Sequence, residues 1–307
     1  MQVKEILQKT TDFFRNKGFE SPRLETELLI SSALRWERMR LYLNHEYPLT
    51  EPEVVACREF VKRRATGEPV AYIIGSKGFY KHSFKVTPAV LIPRPETETM
   101  VDEAIMWAQK HAPEARVADL GTGSGCIGIS LLAAIPEAKL FAVDISEDAL
   151  KVAELNAGEI GVLDRATYLA KDAALVQASD LKMTIGGLAD LVLANPPYIA
   201  EDDPDVQDSV RKFEPMLALF ADDNGFAHIK SWCMTAARIA RPGAFVMFEI
   251  GHEQGARAAK IFEATGEYEN ISIVKDLAGL ERFIRATRAP ASPGSPSSSG
   301  QERKSDG

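Results

Sequence analysis

Residues 191–200 read Leu-Val-Leu-Ala-Asn-Pro-Pro-Tyr-Ile-Ala. Each proline lacks an N–H and fixes its own φ, so a buried strand has to stop at Ala194. The four residues that follow are then held stiffly at the strand's exit. Asn195 contributes a planar amide, Pro196 a backbone carbonyl and Tyr198 a flat ring. Those groups suit a substrate nitrogen whose lone pair is delocalised, such as an amide NH2 or adenine N6. The Asn195 side-chain oxygen and the Pro196 carbonyl can each accept one N–H. Both bonds strengthen as the nitrogen becomes tetrahedral and positive, so they favour the transition state of an alkyl transfer over its ground state. Proline rigidity at Pro196 and Pro197 removes an ordering cost, and Tyr198 can pack against the flat substrate group. A bare strand-terminating turn explains the prolines but not Asn195 and Tyr198.

A second group of residues could hold a cofactor. Residues 117–132, VADLGTGSGCIGISLL, read as strand, glycine-rich turn and apolar helix. The turn lets the backbone approach a ligand, and the helix N-terminus offers N–H groups. Gly123, Gly125 and Gly128 satisfy G-x-G-x-x-G, a pattern that is weak alone. Asp144 lies 19 residues after Gly125, at the end of the next strand, where a carboxylate can accept both ribose hydroxyls of an adenosine. Two ligands fit: a nicotinamide dinucleotide or S-adenosylmethionine. Asp119 sits two residues before Gly121, giving D-x-G-x-G-x-G across Asp119, Gly121, Gly123 and Gly125. A carboxylate so close to the turn suits a cationic amino-acid ligand better than a pyrophosphate. Asp172, after the third strand, is placed for the adenine amino group. Alone it reads as a solvated turn residue; in series with Asp144 and Asn195 it reads as part of a site at the strands' carboxyl ends.

The elements that must position these residues follow from periodicity. Val3, Ile6, Leu7, Thr10, Phe13 and Phe14 repeat at helical spacing. Ser21-Pro22 reads as an N-cap with proline at the first helical position, followed by a stripe of Leu24, Leu28, Leu29 and Ser32. Thr50 and Glu53 have capping-box spacing, and that helix should run to a stop at Gly67. Residues 1–72 are therefore expected to form a helical bundle, and 73–94 a β-hairpin linker. From 95 to 288 helix and strand alternate: helices at 95–111, 124–135, 147–157, 226–240 and 253–265, with strands RVADL, KLFAVD, ATYLA, ADLVLA and AFVMFEI. Near-continuous apolar strands alternating with helices predict an α/β fold with a doubly wound parallel sheet. Strands at 268–274 and 280–287 are close enough to close it as an antiparallel pair. Residues 289–307 hold 12 Pro, Gly or Ser in 19, too little to bury, which predicts a disordered tail.

Charge restricts the partners. The chain of 307 residues has 36 Lys or Arg against 44 Asp or Glu, net −8. Residues 1–80 are net +2 and the rest net −10. A DNA-binding groove should be basic, so direct nucleic-acid binding is not expected. Cys57, Cys126 and Cys233 are odd in number and far apart, which predicts neither a disulfide framework nor a zinc site. No apolar run spans a bilayer and no signal-peptide pattern opens the chain, so a soluble cytoplasmic protein is expected.

Several strings together resemble the release factor glutamine methyltransferases, the bacterial PrmC/HemK-like group. They are LIPRPETE at 91–98, DLGTGSGCI at 119–127, AVD at 142–144, NPPYI at 195–199, FEP at 213–215, EIG at 249–251 and DLAGLERF at 276–283. The resemblance runs from about residue 20 to 288. It implies a Rossmann-like class I methyltransferase domain behind a small N-terminal helical domain that recognises the acceptor. It implies S-adenosylmethionine as methyl donor, S-adenosylhomocysteine as product and no metal. The implied partners are class I peptide release factors, whose Gly-Gly-Gln glutamine is methylated at its side-chain nitrogen by a monomer.

Carried over by position, Asp119, Gly121, Thr122, Gly123, Ser124, Gly125, Asp144, Ile145, Asp172, Ala173 and Asn195 form the cofactor set. Asn195, Pro196, Pro197 and Tyr198 form the glutamine set. Ala173 stands where the family often has an aromatic residue, leaving a stacking position open that Ile145 could replace. LFADDNG at 219–225 lacks the paired glycines usual there. The alternatives are a ribosomal-protein glutamine as acceptor, DNA adenine N6, a non-catalytic cofactor-binding partner, and a NAD-dependent oxidoreductase. The five histidines show no cluster and read as surface or loop residues, not as a base. Trp36, Trp107 and Trp232 read as core, and Cys126 as a packing residue whose thiol pKa a helix N-terminus could lower. Two basic groups, Arg35, Arg38 and Arg40, and Arg58, Lys62, Arg63 and Arg64, mark the helical domain as the acceptor-docking candidate.

Overall fold

The computed structural model describes residues 1–290. The expectation for the tail therefore lies, from residue 291 on, outside the described residues. Five helices come first: α1 Val3–Asn16, α2 Pro22–Ala33, α3 Arg38–Leu43, α4 Glu51–Ala65 and α5 Val70–Ile74. α1 buries Val3, Ile6, Thr10 and Phe14 of its predicted stripe, while Leu7 is half-buried and Phe13 is exposed. The start of α4 is fixed by Glu53, whose carboxylate accepts the Thr50 N–H and the Thr50 hydroxyl, both at 2.8 Å.

α2 departs from its predicted stripe. Leu29 is buried as expected, but Leu24 is 45% exposed, and Thr26, Glu27, Ile30 and Ser31 face inward beside Leu29. Glu27 tolerates burial because Arg23 donates to it at 2.9 Å and the Tyr42 hydroxyl donates to it as well. Ser21 stands at the N-cap, but its side chain makes no capping bond.

α5 joins the two halves of the molecule. Ile73 packs with Phe14 and Leu29 of the bundle. Tyr72 packs with Val90, Ala149 and Val152, and its hydroxyl donates to the Val90 carbonyl at 2.7 Å. The expected boundary between residues 72 and 73 thus falls inside a helix that belongs to both cores. The hairpin β1 Ser76–Phe79 and β2 His82–Lys85 follows as an antiparallel pair.

The larger part runs α6 Glu98–His111, β3 Arg116–Leu120, α7 Cys126–Ala134, β4 Lys139–Asp144, α8 Glu147–Ile160, β5 Ala166–Ala170, α9 Ala178–Thr184 and β6 Ala189–Ala194. Then come α10 Asp208–Phe213, the single turn α11 Asp222–Gly225, α12 Ala227–Ile239, β7 Ala240–Glu249, α13 Gly255–Thr265, β8 Tyr268–Lys275 and β9 Glu281–Arg288. The seven-stranded sheet has the order β5-β4-β3-β6-β7-β9-β8. The first five strands are parallel, and β9 runs antiparallel between β7 and β8. This is the expected α/β, Rossmann-like class I methyltransferase sheet.

One apolar core lies on each face of that sheet. Strand β6 is buried along its whole length, which its unbroken apolar run requires. β7 starts earlier than predicted, and Pro242-Gly243 sits in a register shift between its pairings at Ala240 and Phe245, since proline has no N–H to donate there. The predicted loop between β6 and α12 contains the two short helices α10 and α11, which period counting missed because neither exceeds six residues.

Candidate active site

β3 and β4 deliver the glycine loop and Asp144 side by side. The Gly121 and Thr122 N–H groups both donate to the Val143 carbonyl, at 2.9 and 3.0 Å. The Gly123 N–H donates to Asp144 Oδ2 at 2.9 Å. Three N–H groups of the turn are thus used inside the fold. A pyrophosphate site needs such groups free, so this loop suits an adenosine-plus-amino-acid ligand better than a dinucleotide. Gly121 has φ +71°, and a Cβ there would lie 2.6 Å from the Trp232 ring. Only glycine fits that position.

Asp119 is fully buried beneath the loop. Its Oδ2 accepts the Thr122 hydroxyl at 2.7 Å and the Gly128 N–H at 3.2 Å, and its Oδ1 has no partner among the described residues. Burial pushes its carboxyl up to about 6. The expected direct contact with a cationic ligand is corrected: Asp119 braces the loop from below and does not line the cleft. Gly125 likewise does not line the cleft, although its neighbours Ser124 and Cys126 do; a Cβ there would lie 2.4 Å from Ile129.

The cleft itself is lined by Gly121, Thr122, Gly123, Ser124, Asp144, Ile145, Asp172, Ala173, Asn195 and Pro197. Ten of the predicted residues therefore meet in one place. Asp144 Oδ1 accepts the Ser146 N–H at 2.9 Å, so both oxygens are oriented by backbone. Burial still pushes its carboxyl upward against those bonds. Ile145 is exposed at the rim. Asp172 Oδ1 accepts the Ala174 N–H at 2.8 Å.

Ala173 corrects an expectation. It is buried in the same apolar core as Trp232, and α12 lies directly over it, with the Thr235 hydroxyl donating to the Ala174 carbonyl at 3.0 Å. The open stacking position expected there is filled by α12. Trp232 and half-buried His228, 5.5 Å apart between ring centroids, line the cleft. From sequence Trp232 reads as core and His228 as a surface or loop residue; in the fold Trp232 is in the core and both reach the cleft. Cys126 also lines the cleft, and burial pushes its thiol up to about 12, opposite to the lowering expected from a helix N-terminus.

A second cleft adjoins the first. Asn195, Pro196, Tyr198, Ile199, Val206 and Leu219 line it, and Leu91, Arg94, Asn195 and Ala218 are common to both. Among the described residues no hydrogen bond engages the Asn195 side-chain amide or the Pro196 carbonyl. The rest of the segment is pinned. The Ile199 N–H donates to Leu219 O at 3.1 Å, the Ala221 N–H donates to Ile199 O at 2.9 Å, and Gln254 Nε2 donates to Tyr198 O at 2.8 Å. In the stretch without paired glycines, Asp223 and Asn224 themselves take φ of 55° and 52°, a left-handed region that these two residue types tolerate.

Asn156, Glu214 and Glu249 went unread individually because their partners are distant in sequence. Asn156 Nδ2 donates to Ser124 O at 2.9 Å and its Oδ1 accepts the Lys85 N–H at 2.7 Å, tying the glycine loop to the hairpin. Glu214 pairs with Arg94 at 2.7 Å and accepts the Ile92 N–H at 3.1 Å. Glu249 accepts the Thr97 hydroxyl at 2.6 Å and the Tyr198 hydroxyl at 3.1 Å. For Asn156 the signal was a polar residue on an otherwise buried helix face; Glu214 and Glu249 lay inside the FEP and EIG strings, which carried the resemblance without giving either residue a role.

The basic groups of the bundle are partly neutralised. Arg63 pairs with Glu68, and Arg64 with Glu25 at 2.7 Å. Among the described residues, Arg35, Arg40, Arg58 and Lys62 have no carboxylate partner. No helix among the described residues is long and apolar enough to cross a membrane.

Residues 5–75 match the family described as the PrmC N-terminal domain, and residues 101–213 match the methyltransferase small domain. A release factor glutamine methyltransferase from Chlorobaculum tepidum is 39% identical over 288 residues, covering 92% of this chain and 96% of the relative. One from Rhodopirellula baltica is 36% identical over 291 residues, covering 94% and 96%. A solved structure described as a protein-(glutamine-N5) methyltransferase (release factor-specific) from Alicyclobacillus acidocaldarius is 29% identical. It covers 67% of this chain and 100% of its own, with a TM-score of 0.40.

Proposed function

The chain belongs to the release factor glutamine methyltransferases, and from that premise we propose that it transfers the methyl group of S-adenosylmethionine to the side-chain N5 of the glutamine in the Gly-Gly-Gln tripeptide of class I peptide release factors. The observation that carries this reading is the meeting of two clefts at Asn195. The first is built for an adenosine with an amino-acid tail, the second for a peptide side chain, and the residue between them has a free amide.

The residues fit S-adenosylmethionine. Asp144 has lone pairs left for two ribose hydroxyls, Asp172 stands at the adenine end, and the Gly121–Ser124 turn lets a ligand lie close to backbone. When bound, that cofactor supplies an electrophilic methyl group. Asn195 Oδ1 and the Pro196 carbonyl each accept one hydrogen of the glutamine NH2, which turns its lone pair toward the first cleft. As the nitrogen gains positive charge both acceptors bind it more tightly, so their stabilisation grows along the reaction. Tyr198 packs against the amide plane. No base is needed beforehand, because the amide proton becomes acidic only once the nitrogen is alkylated, and it then leaves to water. The buried walls at Ala194, Pro196 and Pro197 keep water from competing for the two acceptors.

The test is mass spectrometry of purified release factor, ribosomal proteins and a DNA duplex, each incubated with the enzyme and S-adenosylmethionine. A gain of 14 Da confined to the release-factor glutamine is expected. A release factor left unmodified, with methyl on a ribosomal glutamine or on adenine, overturns the acceptor assignment.

A further inference from the structure

Glu249 lines neither cleft. It ends β7 with 1% of its surface exposed. A carboxylate so buried is costly unless donors surround it, and two hydroxyls do. Thr97 donates to Oε2 at 2.6 Å and Tyr198 to Oε1 at 3.1 Å. Arg282 and Glu96 are the charged groups that act on it, and Arg282 is itself held by Asp276 at 3.2 Å. Thr97 belongs to the segment lining the first cleft and Tyr198 to the segment lining the second. One buried carboxylate therefore grips one residue from each side of Asn195.

The grip on Tyr198 is at both ends. Gln254 holds its backbone carbonyl at 2.8 Å, and Glu249 holds its hydroxyl. A ring fixed at both ends has one orientation instead of several. We propose that Glu249 is a positioning residue for methyl transfer: it acts through Tyr198, setting the ring against the acceptor amide, and through Thr97 it holds the opposite wall in register. This rests on the reading that the glutamine lies against Tyr198. Positioning acts on the reacting geometry, where a misplacement of about 1 Å can cost on the order of 10²-fold. The chemical step should suffer and cofactor binding should not.

The experiment uses full-length protein with Glu249→Gln, Glu249→Ala, Tyr198→Phe and their combinations. Gln keeps an acceptor for Tyr198 and can donate to the Thr97 hydroxyl. Single-turnover transfer at saturating acceptor should fall about 10–100-fold in Glu249→Ala and recover most of that in Glu249→Gln. S-adenosylhomocysteine affinity should stay within about twofold in both. In the Tyr198→Phe background, Glu249→Ala should cost clearly less than in the wild type, because only the link to Thr97 remains to be cut. An equal loss in both backgrounds overturns the proposal.

A second readout needs no acceptor. In protein carrying 13C-labelled tyrosine, the Tyr198 ring signal, assigned by its loss in Tyr198→Phe, should move in Glu249→Gln and lose its fixed position in Glu249→Ala. A signal unmoved in Glu249→Gln overturns the proposal even where Glu249→Ala fails to fold. Wild-type protein that leaves release factor unmethylated while the Tyr198 signal responds as expected sinks the acceptor assignment and upholds the Glu249–Tyr198 link.

Discussion

The α-carbon of Gly225 lies so close to Tyr198 that a Cβ added there would stand 2.1 Å from the Tyr198 carbonyl oxygen. Gly225 also has φ +84°, so an L side chain is disfavoured twice over. Gly225→Ala should push the Asn195–Tyr198 segment away from α11 and reduce methyl transfer more than cofactor affinity. A stability loss of about 1–3 kcal/mol is expected from the strained backbone alone. Thermal unfolding and single-turnover kinetics check both parts; a variant with wild-type rate would mean that the segment tolerates the shift.

Asn195→Ala removes one of two unengaged acceptors. The expected loss in kcat is on the order of 10²–10³. Asn195→Asp keeps an oxygen in place and should retain more activity than Ala. Transfer at the wild-type rate in Asn195→Ala would reduce the motif to a turn.

Asp144 both orients the Gly123 and Ser146 N–H groups and faces the cleft. Asp144→Ala should weaken S-adenosylhomocysteine binding by about 1.5–3 kcal/mol, the worth of a hydrogen bond to a charged group. Isothermal calorimetry measures it, and unchanged affinity would remove Asp144 from the site.

Asp119 titrates at about 6 instead of its ordinary 3.8 because burial disfavours its charge. The unfolded chain therefore releases this proton first as pH rises. Between about pH 4 and 6 the folded state holds more protons, so this residue's contribution to stability declines with rising pH and is flat above. The decline amounts to about 3 kcal/mol. Asp119→Asn can keep an acceptor toward Thr122 and Gly128 without the charge. Denaturant unfolding of both proteins from pH 4 to 7.5 should show the variant gaining relative to wild type across that window. Parallel curves would place the titration elsewhere.

Ala173→Phe should fail to improve cofactor affinity. The site is buried under α12, and extra volume in a packed core costs about 1–3 kcal/mol. Tighter binding of S-adenosylhomocysteine at unchanged melting temperature would show room that α12 does not leave.

What could be read in the sequence was local. The glycine loop, Asp144, Asp172 and the Asn195–Tyr198 segment each sit at the end of a strand whose apolar run announces it, and strand ends gather at one edge of a parallel sheet. What escaped was non-local or context-dependent. Leu24 gave way to Thr26 and Glu27 because Arg23 and Tyr42 supply Glu27 with partners from other turns. Trp232 reached the cleft because Gly121, 111 positions away, has no side chain. Asp119 looked like a ligand contact by spacing, yet burial decides its role, and burial is a property of the assembled sheet.

Thr97 and Glu249 stand 152 positions apart. The strands β3, β4 and β5, which shape the donor cleft, span only residues 116–170 and pair with their sequence neighbours. As a nascent chain leaves the ribosome, that portion can pair before β6 exists. The acceptor wall cannot close until residue 249 has emerged, and β9, the last strand, still has to insert between β7 and β8. Contacts of such high sequence separation form late and slowly. A chain truncated before Glu249 would thus retain the means to begin folding around the glycine loop while lacking both groups that hold Tyr198 itself, Glu249 and Gln254, so the order of synthesis itself delays catalytic competence until the protein is nearly complete.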